Sequence, residues 1–193
     1  MLASGSAGRL RLLRDAGIDP EVVVSGVAET APPGLETAQV VQLIADRKAE
    51  AVAALRRDAL VLGCDSLLDL DGTAIGKPES PAQAELTWHR ISGREGTLLT
   101  GHCLIDGVTG RQARGVARTA VRFAAPSDRE IAAYVGSGEP LRVAGGFSID
   151  GLGAPFVDRI DGDPSNVIGL SLPLLRRLLA GLGVTITDLW RQA

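Results

Sequence analysis

Hydrophobic patterning predicts an α/β or α+β protein built on a mixed sheet in two lobes, in preference to a purely doubly wound one. Three observations predict it. Helical and strand-like patterns are interspersed along the whole chain. The middle of the chain pairs strand patterns across short turns, as antiparallel hairpins do and parallel crossovers cannot. Several helical segments open on a hydroxyl that can cap them, so their starts are marked in the sequence.

The elements follow in order. "AGRLRLLRDAG" (7–17) places Leu10, Leu12, Leu13 and Ala16 on one helical face, with Gly17 as C-cap. "EVVVSG" (21–26) reads as a short strand and "APPGL" (31–35) as a loop. A helix runs from Glu36 to about Leu55, its apolar stripe formed by Val40, Val41, Leu43, Ile44, Ala51, Val52 and Leu55. "ALVLGCDSLLDL" (59–70) is a strand bent near Gly63, and Asp71-Gly72 is a hairpin-type turn. "SPAQAELTWHRI" (80–91) has Ser80 as N-cap and Pro81 at the first helical position. "TLLTGHCLID" (97–106) and "RGVARTAVRFA" (114–124) are strands joined through "GVTG". "SDREIAAYVGSG" (127–138) opens on a Ser127–Glu130 capping box. "GGFSID" (145–150) and "APFVDRID" (154–161) read as strands around a Gly-rich turn, and "SLPLLRRLLAGLG" (171–183) as the last helix.

The 193 residues suit one domain, 1–193, in two lobes. A net charge of -3 supplies no basic field for a nucleic acid polymer, and 3% aromatics are too few for a base-stacking platform. A small anionic ligand needs only a local cluster of Lys and Arg. Cys64 and Cys103 make no disulfide framework, so a reduced, cytoplasmic setting is expected. The N-terminal stretch lacks the apolar core of a signal peptide, and no run reaches the ~20 apolar residues of a membrane span.

Four stretches carry more polar function than their apolar context requires. In "LASGSAGR", Ser4, Ser6 and Arg9 stand at a helix start, where hydroxyls and free N–H groups can hold an anion; ordinary capping by Ser6 is the plainer alternative. Glu29 follows a strand, where a carboxylate can bind metal or activate water, or simply face solvent. Lys48, beside Asp46 and Arg47, fits a solvated helix face, a helical ion pair or a phosphate ligand. Asp65 directly follows a buried run, so it needs a cation or donors; Lys77 and a metal ion are the candidates, and a structural ion pair serves as well as catalysis. Zinc-type spacing is missing among Cys64, His89, His102 and Cys103. "GTAIGKP" is no phosphate loop, because Pro78 stands where Ser or Thr should be.

Taken in order, these stretches resemble the Maf family of nucleoside triphosphate pyrophosphatases. "LASGSAGRLRLLRDAGI", "VVSGVAE", "ADRKAEAV", "LGCDSLLDLDGTAIGKP", "RISGREGTLLTG" and the segment from Gly138 to Leu175 carry the resemblance across nearly the whole chain. It implies an elongated fold similar to inosine triphosphate pyrophosphatases, with flanking helices and a central cleft for a nucleoside triphosphate. It implies cleavage between the α- and β-phosphates with a divalent cation, Mg²⁺ or Mn²⁺. Asp65 matches the proton acceptor, and Glu29 its acidic partner near the metal; either can serve as base or ligand. Arg9, Lys48 and Lys77 match the basic residues around the triphosphate, which Ser4 and Ser6 would also cradle. Ser66 and Asp150 stand where the family varies residues that select the base. A homodimer and a link to cell-division arrest also follow by resemblance; the alternative is a division regulator that binds nucleotide with little or no hydrolysis.

The chain departs from the family pattern in five places, the first a dipeptide. Ala7-Gly8 replaces Pro-Arg, leaving Arg9 alone of an arginine pair. Ser66 replaces threonine, Gly96 a histidine, Val143 a lysine and Asp150 a glutamine. Asp150 offers only acceptors where glutamine also offers an amide donor, which suits a base presenting N–H or amino groups, as guanine does.

Overall fold

A computed structural model describes residues 1–191. Its centre is a five-stranded sheet in the order β2-β1-β3-β4-β5, comprising β1 (Leu60–Leu70), β2 (Thr73–Ile75), β3 (Glu95–Asp106), β4 (Gln112–Phe123) and β5 (Val157–Asp161). All four pairings are antiparallel. Parallel pairing enters through isolated bridges from Leu2 to Val22 and Leu62. The helices are α1 (Ala7–Asp15), α2 (Thr37–Ala53), α3 (Pro81–Ile91), α4 (Asp128–Gly136), α5 (Pro164–Ile168) and α6 (Leu172–Gly181).

Helix α2 covers one face of the sheet, and two glycines set how closely. A Cβ on Gly63 of β1 would lie 2.4 Å from the Ala45 carbonyl oxygen, and one on Gly101 of β3 would lie 2.3 Å from that of Val41. Only glycine permits this approach of helix to strand. The buried face of α2 runs through Thr37, Val41, Ile44, Ala45, Lys48, Ala49 and Val52. It is rotated from the stripe read in the sequence, and Leu55 is exposed. The closest contacts are made at Val41, Ala45 and Ala49, and Lys48 lies on the same face.

The opposite face of the sheet carries two apolar clusters. One joins Leu12 and Leu13 of α1 and Leu174, Leu175, Leu178 and Leu179 of α6 to Leu62 and Leu104. The other surrounds Trp88 of α3 with Phe123, Tyr134, Phe147 and Leu68. Edge-to-face ring contacts join Trp88 to Phe123 and Tyr134, and the indole N–H donates to the Gly146 carbonyl at 2.9 Å. Strand register places half-buried Ser66 beside Thr100 on this face between the two clusters, where Thr100, Thr119, His102 and Asn166 form a buried polar belt.

His102 is fully buried, and its Nε2 accepts the Ser171 N–H at 2.9 Å, which leaves the ring proton on Nδ1 for the Thr100 carbonyl at 3.0 Å. Burial holds its pKa down to about 4. The folded value is below the unfolded one, so the unfolded chain takes up the proton first as pH falls. This contribution is intact above roughly pH 6.5 and is lost through about pH 4, by at most about 3 kcal/mol. His102→Gln, which keeps one donor and one acceptor, is expected to flatten that acid loss in urea unfolding compared at about pH 7 and about pH 4.5.

Three segments differ from their sequence reading. "EVVVSG" contributes only the bridge at Val22. "GGFSID" is no strand: Ala144–Gly146 form a 3₁₀ turn in which Gly145 and Gly146 take φ of 71° and 70°. A Cβ on Gly145 would stand 2.9 Å from that of Leu68, so the backbone there wraps the second cluster instead of joining the sheet. "APFVDRID" is a strand only from Val157, because Ala154–Phe156, with Pro155 lacking an N–H, form a 3₁₀ turn. Helix α5, capped by Asp163 with Pro164 at its start, was not read from the sequence despite that signal.

Candidate active site

The exposed edge of β1 is covered twice, by Leu2 opposite Leu62 and by β2 from Leu68 onward. Asp65 and Ser66 lie between these covers. Successive strand residues point to opposite faces. Asp65 therefore faces α2, while Ser66 faces the polar belt.

On the α2 side, Lys48 Nζ donates to Asp65 Oδ1 at 2.8 Å and to Glu29 Oε1 at 2.7 Å. Lys48 and Asp65 are both buried, whereas the Glu29 side chain is more than half exposed. The loop bearing Glu29 is tied to α2 by Arg47, whose guanidinium donates to the Thr30 carbonyl at 2.6 Å. Lys48 is thus neither solvated nor part of a helical ion pair. It supplies the cation that a carboxylate at a buried strand end requires.

The two carboxylates are driven apart. Burial pushes the Asp65 pKa above its ordinary value, outweighing the pull of Lys48 and Arg9, and Glu29 adds to the rise. Burial also pushes Glu29 up, but its bond to Lys48 and the charges of Lys48, Lys77 and Arg9 win, leaving it below its ordinary value. Two carboxyls with opposite shifts around one ammonium can take different protonation roles.

On the other side stands Arg9, itself buried. Its Nε donates to the Gly169 carbonyl at 2.7 Å, Nη1 to Ser4 Oγ at 3.0 Å and Nη2 to Ser66 Oγ at 2.9 Å. Ser66 Oγ is 2.9 Å from Thr100 Oγ1, which lies 3.3 Å from the Asn166 carbonyl. No carboxylate among the described residues lies within salt-bridge distance of Arg9. A buried guanidinium held only by neutral oxygens can receive an incoming anion. It sits on the first turn of α1, whose N-cap Ser6 accepts the Arg9 N–H at 3.4 Å; Ser4 Oγ accepts the Ser6 N–H at 3.2 Å. Capping and anion binding are compatible, since each hydroxyl accepts here and retains its own proton to donate.

The remaining predicted residues lie farther out. Lys77 is exposed and makes no ion pair among the described residues, so the partner of Asp65 is Lys48 and not Lys77. Its charge still bears on Glu29. Asp150 is exposed and forms an ion pair with Arg11 of α1. Gly8 and Gly96, where the family pattern has an arginine and a histidine, are closely packed: their Cβ positions would lie 3.2 Å from Ile168 Cγ2 and 2.9 Å from Leu68 Cδ1. A longer side chain at either position would require Ile168 or Leu68 to shift.

Sequence reasoning missed Thr100, Asn166 and Gly169. Thr100 had a signal, a lone hydroxyl with strand parity among Leu98 and His102 in an otherwise apolar run. Gly169, at φ 118°, ends α5 and thereby presents its carbonyl to Arg9. Burial raises the Cys64 pKa to about 11 and that of Cys103 to about 12, so neither is a thiolate nucleophile near neutral pH. Two surface hollows, one beside Leu35, Leu43 and Val116 and the other beside Thr37, Asp69 and Arg118, include none of the clustered residues. Among the described residues no three His, Cys, Asp or Glu converge as metal ligands, and no helix is long and apolar enough to cross a membrane.

Residues 1–182 match the family model described as Maf-like protein. A nucleoside triphosphate pyrophosphatase of Streptomyces coelicolor is 57% identical over 195 residues, covering 100% of this chain and 95% of the relative. A protein of the same name from Streptomyces avermitilis is 55% identical, covering 98% of this chain and 93% of its own. One from Salinispora tropica is 53% identical, covering 100% and 87%.

Proposed function

This chain belongs to the family of Maf-like proteins, and from that premise we propose that it hydrolyses nucleoside triphosphates between the α- and β-phosphates, releasing a nucleoside monophosphate and pyrophosphate. The observation that carries the reading is the buried, acid-free Arg9 on one side of β1, with the Glu29–Lys48–Asp65 cluster on the other. The first is suited to a polyphosphate and the second to moving a proton beside it.

In this reading Arg9, the Ser4 and Ser6 hydroxyls and the α1 N-terminus hold phosphate oxygens. Lys77, exposed at the rim, adds charge to the polyphosphate. Asp65 accepts the proton of a water whose oxygen bonds to the α-phosphorus. The bond from that phosphorus to the bridging oxygen breaks, and its electron pair leaves with pyrophosphate. Lys48 keeps Asp65 ionised and aimed.

Glu29 and Asp65 also suit a divalent cation, Mg²⁺ or Mn²⁺. Each uses one oxygen on Lys48, while Glu29 Oε2 and Asp65 Oδ2 accept no hydrogen bond among the described residues. One or two carboxylates, with phosphates and waters completing the shell, is the usual setting for Mg²⁺. When bound, the cation supplies neutralisation of the polyphosphate charge. Asp150 would border the base, its carboxylate accepting from a base N–H or amino group. The buried, unpaired Cys64 and Cys103 fit a reducing cytoplasm.

The test is a panel of canonical and modified nucleoside triphosphates with Mg²⁺ or Mn²⁺, scoring pyrophosphate against orthophosphate. Pyrophosphate is the expected product. Orthophosphate as the main product would sink the proposed bond cleavage.

A further inference from the structure

Outside the clustered residues, one carboxylate is satisfied far more fully than its surroundings require. Glu139 follows α4 and precedes Pro140. Its Oε1 accepts from Tyr134 Oη at 2.9 Å, Ser148 Oγ at 2.6 Å and the Gly153 N–H at 3.0 Å. Its Oε2 accepts the Leu152 N–H at 2.9 Å. Burial pushes its pKa up, but these donors outweigh burial and hold it below the ordinary value, so it is ionised at neutral pH.

The segment from Ser148 to Gly153 closes around this carboxylate. A Cβ on Gly151 would lie 2.4 Å from Glu139 Oε2, and one on Gly153 would lie 2.4 Å from Tyr134 Oη and 3.0 Å from the Ser148 nitrogen. The segment contains no strand or α-helix that could hold it by a backbone ladder. Three of its residues, Ser148, Leu152 and Gly153, are instead anchored on one side chain. Asp150 stands between those anchors and pairs with Arg11 on α1, the helix whose first turn carries Arg9. The loop is thereby tied to the helix that carries Arg9, and in the reading proposed above Asp150 faces the nucleoside.

We propose that Glu139 is a positioning residue: it fixes the Ser148–Gly153 loop, and through it Asp150, as a rigid wall against the nucleoside part of the substrate. This rests on the nucleoside triphosphate reading above. Preorganised loops bind with less ordering cost, so loosening this one weakens recognition of the nucleoside while leaving the phosphate-holding residues in place. Glu139→Gln keeps the size but replaces one acceptor oxygen with an amide that turns hydrogens toward donors.

The experiment compares the unmodified protein, Glu139→Gln and the milder Ser148→Ala. Each is measured for backbone hydrogen exchange over 148–153, for kcat and KM with two nucleoside triphosphates of different base, and for inhibition by inorganic tripolyphosphate, which has no base. The expected result for Glu139→Gln is faster exchange, a KM raised on the order of tenfold with kcat changed by less than about twofold, and narrower discrimination between the bases. Tripolyphosphate inhibition is unchanged, and Ser148→Ala shifts KM in the same direction by less. A merely structural role for Glu139 would weaken tripolyphosphate and nucleotide together, which overturns the proposal, as does a loosened loop with KM and discrimination unchanged. Should Glu139→Gln fail to fold, Ser148→Ala decides by the same criteria. An unmodified protein that binds tripolyphosphate but neither nucleotide removes the underlying reading. An unmodified protein that discriminates between bases, with both variants matching it, removes Glu139 alone.

Discussion

Asp65→Asn is expected to lower the rate of pyrophosphate release by on the order of 10²–10⁴-fold, the usual contribution of a positioned general base. The substitution is close to isosteric, and an amide at this position can still accept from Lys48 Nζ, which lies 2.8 Å from Oδ1 in the parent protein. Folding is therefore largely retained while the proton acceptor is removed. The pH profile of the unmodified protein carries a matching signature. Burial raises the Asp65 pKa, so the acid limb of kcat/KM is expected above the ordinary carboxylate range. Full activity in Asp65→Asn, measured as pyrophosphate released with saturating Mg²⁺ and nucleotide, would show that another group takes the proton.

Replacing Lys48 with methionine is the second large effect, and it acts on both stability and rate. Removing one member of a buried pair strands the other, which typically costs about 3–5 kcal/mol. Asp65 is buried, and Glu29, the other charge of the cluster, repels it. An aspartate left there would relieve the cost by taking up a proton, and so would cease to be a base at neutral pH. Lys48→Met is expected to lower the urea midpoint clearly and to reduce kcat by about 10²-fold or more. The acid limb of the pH–rate profile should move to higher pH than in the unmodified protein. A limb that stays in place, with the rate reduced, would mean that Lys48 acts on the phosphates and not through Asp65.

Much of the fold was legible because its signals are local. Ser80 with Pro81 and the Ser127–Glu130 box mark the starts of α3 and α4, and both caps form as read. The Asp71-Gly72 turn joins β1 to β2, with Asp71 at φ 51° and Gly72 at φ 79°. The failures share a cause. "GGFSID" has the apolar alternation of a strand, but its glycines are needed for wrapping around Leu68 and Pro78, a constraint set by residues some seventy positions away. The α2 stripe was misplaced by a fraction of a turn because hydrophobicity favours Leu43 and Leu55. Contact with the sheet instead selects Ala45 and Ala49, which fit beneath Gly63, while Val41 meets Gly101.

The site divides in the same way. Ordered motifs at recognisable spacing were enough to single out Ser4, Ser6, Arg9, Glu29, Lys48, Asp65, Ser66, Lys77 and Asp150, because each sits in a short stretch that carries its own pattern. Which cation meets which acid is a pairwise distance across the fold, and no short stretch contains it. The sequence favoured Lys77 for Asp65 by proximity along the chain. Tertiary packing chose Lys48, because two glycines let α2 lie against β1 with that lysine facing inward. Strand alternation then placed Asp65 and Ser66, adjacent in sequence, on opposite faces of the sheet. The chain thus singled out the candidate residues, and only the packed structure decided that the Glu29–Lys48–Asp65 cluster and Arg9 flank one strand edge.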